Sequence, residues 1–249
     1  RSRTRVGLWA SGAMGAAAAG CLEGLAPGPP MPKTITLKYF PMAGRAEPIR
    51  LALTLGGLQF FDQRIPGQDW TDKYKPSMPY GQLPVLVVDG KTICQTKAIL
   101  RYVGKLAKYN KSPLYPKDPV LAAKVDELLD AFDDLWILLA PTFLIKDQYQ
   151  KEEYRQQLFA PGGVATEKLA IFERTLADSG TGFAVPQAGF SVADLMYYSF
   201  LCVIRSGFLE GLGSELLKGY PSISKHKEMV ANLPAVKAYY ADKKRSNPN

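Results

Sequence analysis

Between Thr36 and Thr54 only one side chain carries a hydroxyl or thiol, and it is Tyr39. It ends the apolar run Ile35-Thr36-Leu37-Lys38-Tyr39-Phe40. Pro41 and Gly44 then break the strand pattern, and a helical pattern opens at Arg45. A phenol at the C-terminal tip of a first strand, facing a helix N-terminus, can hold an anion. If the chain is an enzyme, Tyr39 is the first candidate for the group that does the chemistry.

Three further features bear on a site. Leu83-Pro84 precedes a strand pattern. A cis bond there would turn both backbone groups of Leu83 toward an extended peptide ligand; a plain strand-entry proline is the alternative. Gln95-Thr96 opens a helix, where free amides and a partial positive charge suit a carboxylate. Simple capping is the competing explanation. Asp126, Asp130, Asp133 and Asp134 recur at steps of four, three and one, on one side of a helix opposite its apolar face. Their mutual repulsion calls for a cationic partner: an ammonium, a metal ion or a facing basic helix.

Composition excludes several classes. The chain has 249 residues, a formal charge of +8, three cysteines and one histidine. Its Lys and Arg residues are scattered, so nucleic-acid binding is not expected. Cys21, Cys94 and Cys202 form no CxxC, which argues against a disulfide framework, a zinc site and a dithiol redox centre, and for a reducing, cytoplasmic setting. A lone His226, in a Ser-Lys-His-Lys-Glu stretch, cannot supply a multi-histidine metal site. Residues 1–30 differ from the rest, with Arg1, Arg3 and Arg5, a Gly/Ala-rich run and Ala-Pro-Gly-Pro-Pro. They read as a disordered or organelle-targeting segment, or as an extension before a natural start at Met31. The run from Val6 to Leu22 is too weakly apolar for a membrane span.

Two periodicities follow. From 31 to 108 strands and helices alternate as β-α-β-loop-β-β-α: strands at 34–40 and 59–64, a helix from Arg45 to Leu55, a hairpin turning on Asp89-Gly90, and a helix from Gln95 to Lys108. This is an α/β unit of thioredoxin type. Residues 109–117 read as a linker. From 118 to 249 the period is helical, with a cap at Asp118-Pro119 and later helices near 151–159, 164–178, 191–208, 213–218 and 223–243. Ser191 and Asp194 form a capping box with Phe190 and Leu195 spaced as a staple. The expected fold class is α/β plus all-α: a thioredoxin-like domain, then an all-helical domain.

The stretch from Tyr39 to Arg50 resembles the opening of cytosolic glutathione S-transferases of the sigma class, which includes haematopoietic prostaglandin D synthase and the S-crystallins. The similarity continues through Gln68-Asp69-Trp70, Tyr80-Gly81-Gln82-Leu83-Pro84, Gln95-Thr96-Lys97-Ala98-Ile99 and Asp130-Ala131-Phe132-Asp133-Asp134, covering about 33–243. The resemblance implies a homodimeric transferase with glutathione as co-substrate and no obligatory metal. Tyr39 would donate its phenolic hydrogen to the glutathione sulfur, with Arg45 supporting electrostatically. Trp70 and Lys75 would contact the glycyl end, although one extra residue lies between Trp70 and Gly81. Gln82 and Leu83 would hold the cysteinyl backbone, and Gln95 and Thr96 the γ-glutamyl carboxylate. Asp134, or Asp133, would reach the ammonium of glutathione in the other subunit. Phe40, Met42 and Trp136 would wall the pocket for a small hydrophobic electrophile.

Departures from the family pattern bear on the reaction. Thr96 replaces a frequent Ser, and Gln82 stands where the prostaglandin synthase has Lys. Pro141 stands at the position of that enzyme's pocket Trp. General conjugation, in a detoxifying role, is therefore expected over prostaglandin-type isomerisation, with a non-catalytic S-crystallin-like protein as the other alternative. Asp130, Asp133 and Asp134 also match positions that hold a divalent ion in the synthase, as a modulator rather than a catalyst.

Overall fold

The computed structural model describes residues 30–241. The segment 1–30, Pro30 apart, lies outside the described residues with its Cys21, as do residues 242 and 243 of the last expected helix. In β1 (Ile35–Tyr39) every second side chain is buried, which puts Ile35, Leu37 and Tyr39 on the core face. A 3-10 turn over Gly44–Ala46 leads into α1 (Glu47–Leu55). The crossover through α1 lets β2 (Phe61–Arg64) pair parallel to β1. β3 (Val85–Val88) and β4 (Lys91–Cys94) add antiparallel, giving the order β2-β1-β3-β4. Asp89 and Gly90 have φ of 46° and 79°, the double positive φ of a two-residue hairpin turn. This is a thioredoxin-like half.

The loop between β2 and β3 is wound rather than open. α2 (Gly67–Asp69) passes into a π turn over Trp70–Tyr74 and a 3-10 turn over Lys75–Ser77. A π turn closes on i+5 instead of i+4 and so takes up one extra residue. The Leu83–Pro84 peptide is cis.

Several expected boundaries shift. α3 (Thr96–Leu106) stops before Lys108, and the 109–117 stretch is not a plain linker. β5 (Lys108–Tyr109) folds back on β6 (Ser112–Pro113) around Asn110 and Lys111, both at positive φ. Beyond it come α4 (Pro119–Leu139), α5 (Gln148–Leu158), α6 (Val164–Ser179), α7 (Val192–Arg205), α8 (Pro221–Ala231) and α9 (Pro234–Ala241). The single helix expected over 223–243 is broken because Pro234 has no N–H and its ring obstructs the preceding turn. At the start of α4, the Asp118 carboxylate accepts from the Leu121 amide at 2.8 Å. None of the described helices is long and apolar enough to cross a membrane.

One core joins the halves. α1 packs on α3, α7 and α9, and α7 also packs on α4 and α8. α7 is buried from Val192 to Ile204. Phe132 of α4 sits 4.1 Å from the Phe172 ring and 3.6 Å from the Tyr197 ring, centroid to centroid. Gly104 lets α3 approach closely, since a Cβ there would lie 2.8 Å from Val192 Cγ1. The Ser191–Asp194 capping box is present. Asp194 also accepts from the Ala184 amide at 2.8 Å and faces His226 Nε2 at 3.1 Å. His226 therefore lies in the core, 1% exposed, despite its polar sequence neighbours.

Candidate active site

β1 delivers Tyr39 to the sheet's C-terminal edge, 7% exposed. The next residues fold over it. Gly44 holds φ of 47°, and a Cβ there would lie 2.6 Å from the Tyr39 hydroxyl oxygen. Only glycine allows this turn to close so near the phenol. The closure aims the Arg45 backbone N–H at the phenol, which donates to the Tyr39 hydroxyl at 3.1 Å. Burial pushes the Tyr39 pKa up, partly offset by that amide and by the charges of Arg45 and Arg50. The phenol thus stays protonated at neutral pH.

Beside it lies a cleft of about 450 Å³. The structure brings Phe40, Arg45, Trp70, Gln82, Leu83, Gln95 and Thr96 together on its walls. Tyr39 is not itself among the lining residues; it adjoins the cleft through Phe40, edge-on at 5.4 Å, and Phe40 in turn meets Trp70 edge-on at 5.5 Å. The cis bond ahead of β3 places Leu83 and Pro84 in the wall. Gln95 holds φ of 72° at the head of α3, a region that residues with side chains seldom occupy. Its Nε2 donates to Gln82 Oε1 at 3.3 Å rather than capping α3. Plain capping therefore does not describe Gln95.

Other expected site residues stand apart from this cleft. Lys75 is outside the lining but adjoins it, since a Cβ on Gly81 would meet Lys75 Cε at 3.6 Å. Met42 is partly buried against the core. Trp136 is not a wall: it is buried, edge-on to Phe200 at 5.3 Å, with the Arg45 guanidinium 5.4 Å from its ring. The acidic stripe of α4 meets a facing basic helix, one of its three expected partners. Lys97 pairs with Asp130 and Asp133, and Arg101 with Asp126 and Asp130. Arg45 also binds Asp133, while Asp134 pairs with Lys168 at 2.8 Å. Among the described residues no group of three His, Cys, Asp or Glu is placed to hold a metal ion.

The cleft also contains residues that the sequence reading did not single out. Tyr80, Gly81, Cys94 and Ala140 complete its walls. Cys94 directly precedes Gln95-Thr96, and that adjacency was the available signal. Burial pushes its thiol pKa up, so it remains a poor nucleophile beside the site.

The arrangement thus sets a protonated phenol next to a cleft that carries a helix N-terminus and a backbone edge, which suits an anionic peptide thiol. Comparison with known proteins agrees. The N-terminal domain of glutathione S-transferase matches residues 35–105, and its C-terminal domain matches 133–243. Glutathione S-transferase 1 of Ascaris suum is 32% identical over 211 residues, 84% of this chain and 97% of the relative. The structure of prostaglandin synthase D of Nilaparvata lugens superposes with a TM-score of 0.72 at 30% identity, over 84% of this chain and 98% of that one. A monomeric glutathione S-transferase, Na-GST-3 of Necator americanus, gives a TM-score of 0.72 at 28% identity, over 86% and 99% of the two chains. The chain belongs to the glutathione S-transferase family.

Proposed function

We propose that the chain is a sigma-class transferase that activates glutathione at Tyr39 and joins its sulfur to hydrophobic electrophiles in a detoxifying role. The Tyr39 hydroxyl carries the reading. It already accepts from the Arg45 amide, and burial keeps its own proton in place, so its O–H is left to donate. A donor aimed at sulfur favours thiolate over thiol. A free thiol titrates near 8.5, and lowering that by about two units takes ~2.7 kcal/mol of differential stabilisation. A preorganised donor and a nearby guanidinium supply energies of this order. The thiol proton leaves to solvent. The thiolate then forms a C–S bond to the electrophilic carbon, and with an aryl halide the halide departs with its electron pair.

The remaining contacts divide glutathione among the walls. Gln82 and Leu83 hold the cysteinyl backbone, Gln95 and Thr96 the γ-glutamyl carboxylate at the head of α3, and Trp70 and Lys75 the glycyl end. The electrophile lies against Phe40 and Met42, with Trp136 supporting Arg45 from beneath. Asp134 serves the ammonium of glutathione in a second subunit. Its side chain is 52% exposed, against 17% for Asp133, and the ammonium would replace the Lys168 partner that Asp134 holds at 2.8 Å. The glutathione-binding domain spans 31–108, and 109–117 joins it to the helical domain 118–249. The free thiols Cys94 and Cys202 suit a reducing, cytoplasmic setting.

Turnover of glutathione with a simple aryl halide is the expected result. Glutathione binding without turnover, on the halide or on a prostaglandin endoperoxide, would leave the S-crystallin-like alternative standing. The likeness to the Nilaparvata lugens synthase favours an isomerase as second reading, and product analysis with the endoperoxide separates it from conjugation. Sedimentation should show a dimer. A protein that is monomeric, as the Necator americanus relative is, and that binds glutathione tightly would remove the Asp134 contact.

A further inference from the structure

Arg50 is fully buried in α1 and lies outside the cleft lining. Its Nη1 donates to the Met42 carbonyl at 3.0 Å and to the Ala43 carbonyl at 3.1 Å. These two residues directly precede Gly44 and Arg45, the turn whose amide holds the Tyr39 hydroxyl. The guanidinium carbon also lies 5.7 Å from the Tyr39 ring centroid. Arg50 therefore grips the turn and the phenol together. A buried guanidinium needs counter-charge, and Asp62 supplies part of it at 3.1 Å. Glu47 supplies the rest through Oε2 at 3.0 Å.

The second oxygen of Glu47 is occupied from the far end of the chain. Tyr240 on α9 donates to Glu47 Oε1 at 2.8 Å in a fully buried contact. Glu47 is itself 2% exposed, so without Tyr240 that oxygen would face a desolvated site. A continuous path of hydrogen bonds thus runs from α9 through Glu47 and Arg50 to the Met42 and Ala43 carbonyls.

We propose that Tyr240, Glu47 and Arg50 are positioning residues through which α9 holds the turn from Met42 to Arg45 in the geometry that leaves the Tyr39 hydroxyl free to donate to sulfur. The inference rests on the Tyr39 reading above. It makes docking of α9 a condition for thiol activation, although α9 contributes no residue to the cleft lining.

Tyr240→Phe keeps the ring and removes the bond to Glu47. The readout is the pH at which bound glutathione ionises, followed by thiolate ultraviolet absorbance, with glutathione affinity by calorimetry and the melting temperature alongside. The midpoint should rise by about half a unit, a roughly threefold fall in the ionisation constant of the bound thiol, with glutathione affinity unchanged at about pH 5, where the thiol is protonated both free and bound. Glu47→Gln should move it the same way. Val230→Ala, a core truncation on α8, should lower the melting temperature and leave the midpoint in place. A Tyr240→Phe protein that melts earlier but ionises glutathione as the unaltered protein does would reduce the path to a structural one and overturn the proposal. Absence of any thiolate signal in the unaltered protein would instead overturn the Tyr39 reading, and this inference with it, before any substitution is made.

Discussion

A phenol donates a hydrogen bond only while it keeps its proton, so the acidity of Tyr39 decides the pH range of the chemistry. Burial raises its pKa above the ordinary 10.0, and the Arg45 amide and neighbouring charges only partly oppose this. Conjugation should rise with pH through the ionisation of bound thiol and then stay level to about pH 9, where even an ordinary phenol is protonated. Tyr39→Phe should lower kcat/KM at pH 7 by up to about 25-fold, the fall in thiolate when a bound thiol that titrates about two units below 8.5 returns to the ordinary value. Its loss should shrink as pH approaches the ordinary thiol range, with glutathione affinity nearly unchanged at about pH 5, where the thiol is protonated both free and bound. Unaltered turnover in this variant would show that another group handles the sulfur. Tyr39 was legible in the sequence because no other hydroxyl or thiol lies near it and because a strand pattern stops beside it. Asp133 and Trp136 were less legible. Helical spacing shows which side of α4 they share, but their binding to Arg45 is a long-range contact that spacing does not encode.

At the scale of elements, the joint between α7 and α8 depends on one carboxylate. Asp194 is fully buried and accepts from the Ala184 amide, the Ser191 amide and the Ser191 hydroxyl while facing His226. Removing it orphans buried amides that nothing else reaches. Asp194→Ala should cost about 3–5 kcal/mol in urea denaturation, and Asp194→Asn, which keeps an acceptor, markedly less. A loss below about 1 kcal/mol for the alanine variant would mean that water replaces the carboxylate. The capping box was readable because its bonds are local, three residues apart. The His226 contact spans 32 residues, and the polar neighbours of His226 hid its burial. The same contrast runs along the chain. The β1–α1–β2 crossover, the Asp89-Gly90 hairpin and the α4 cap follow from short-range patterns. β5 and β6 did not, because Lys111 at positive φ has no sequence signature. The break before α9 was misjudged because the apolar period continues across Pro234.

At the scale of the whole molecule, the shared core is rich in groups that must stay neutral. Tyr39, Tyr197, Tyr198 and Tyr240 all have their pKa values pushed above the ordinary 10.0, chiefly by burial, with Glu47 adding to the rise at Tyr240. Burial pushes the Cys202 thiol up to about 11 from 9.0. The sign follows from proton counting. Above its ordinary value each group ionises in the unfolded chain but keeps its proton in the folded one, so the unfolded state binds fewer protons and stability falls as pH rises. The loss should begin near pH 9 with Cys202 and steepen above 10 as the tyrosines join it. Each group contributes about 1.4 kcal/mol per pH unit beyond its unfolded value. Several acting together would exhaust the usual 5–15 kcal/mol of a folded domain within about two units. Circular dichroism and tyrosinate absorbance, followed together from pH 7 to 12, give the test. The buried set should ionise in one cooperative step with the loss of helix. Smooth ionisation of every tyrosine at constant helicity would show that water reaches this core, and would remove the argument that Tyr39 is kept protonated by burial.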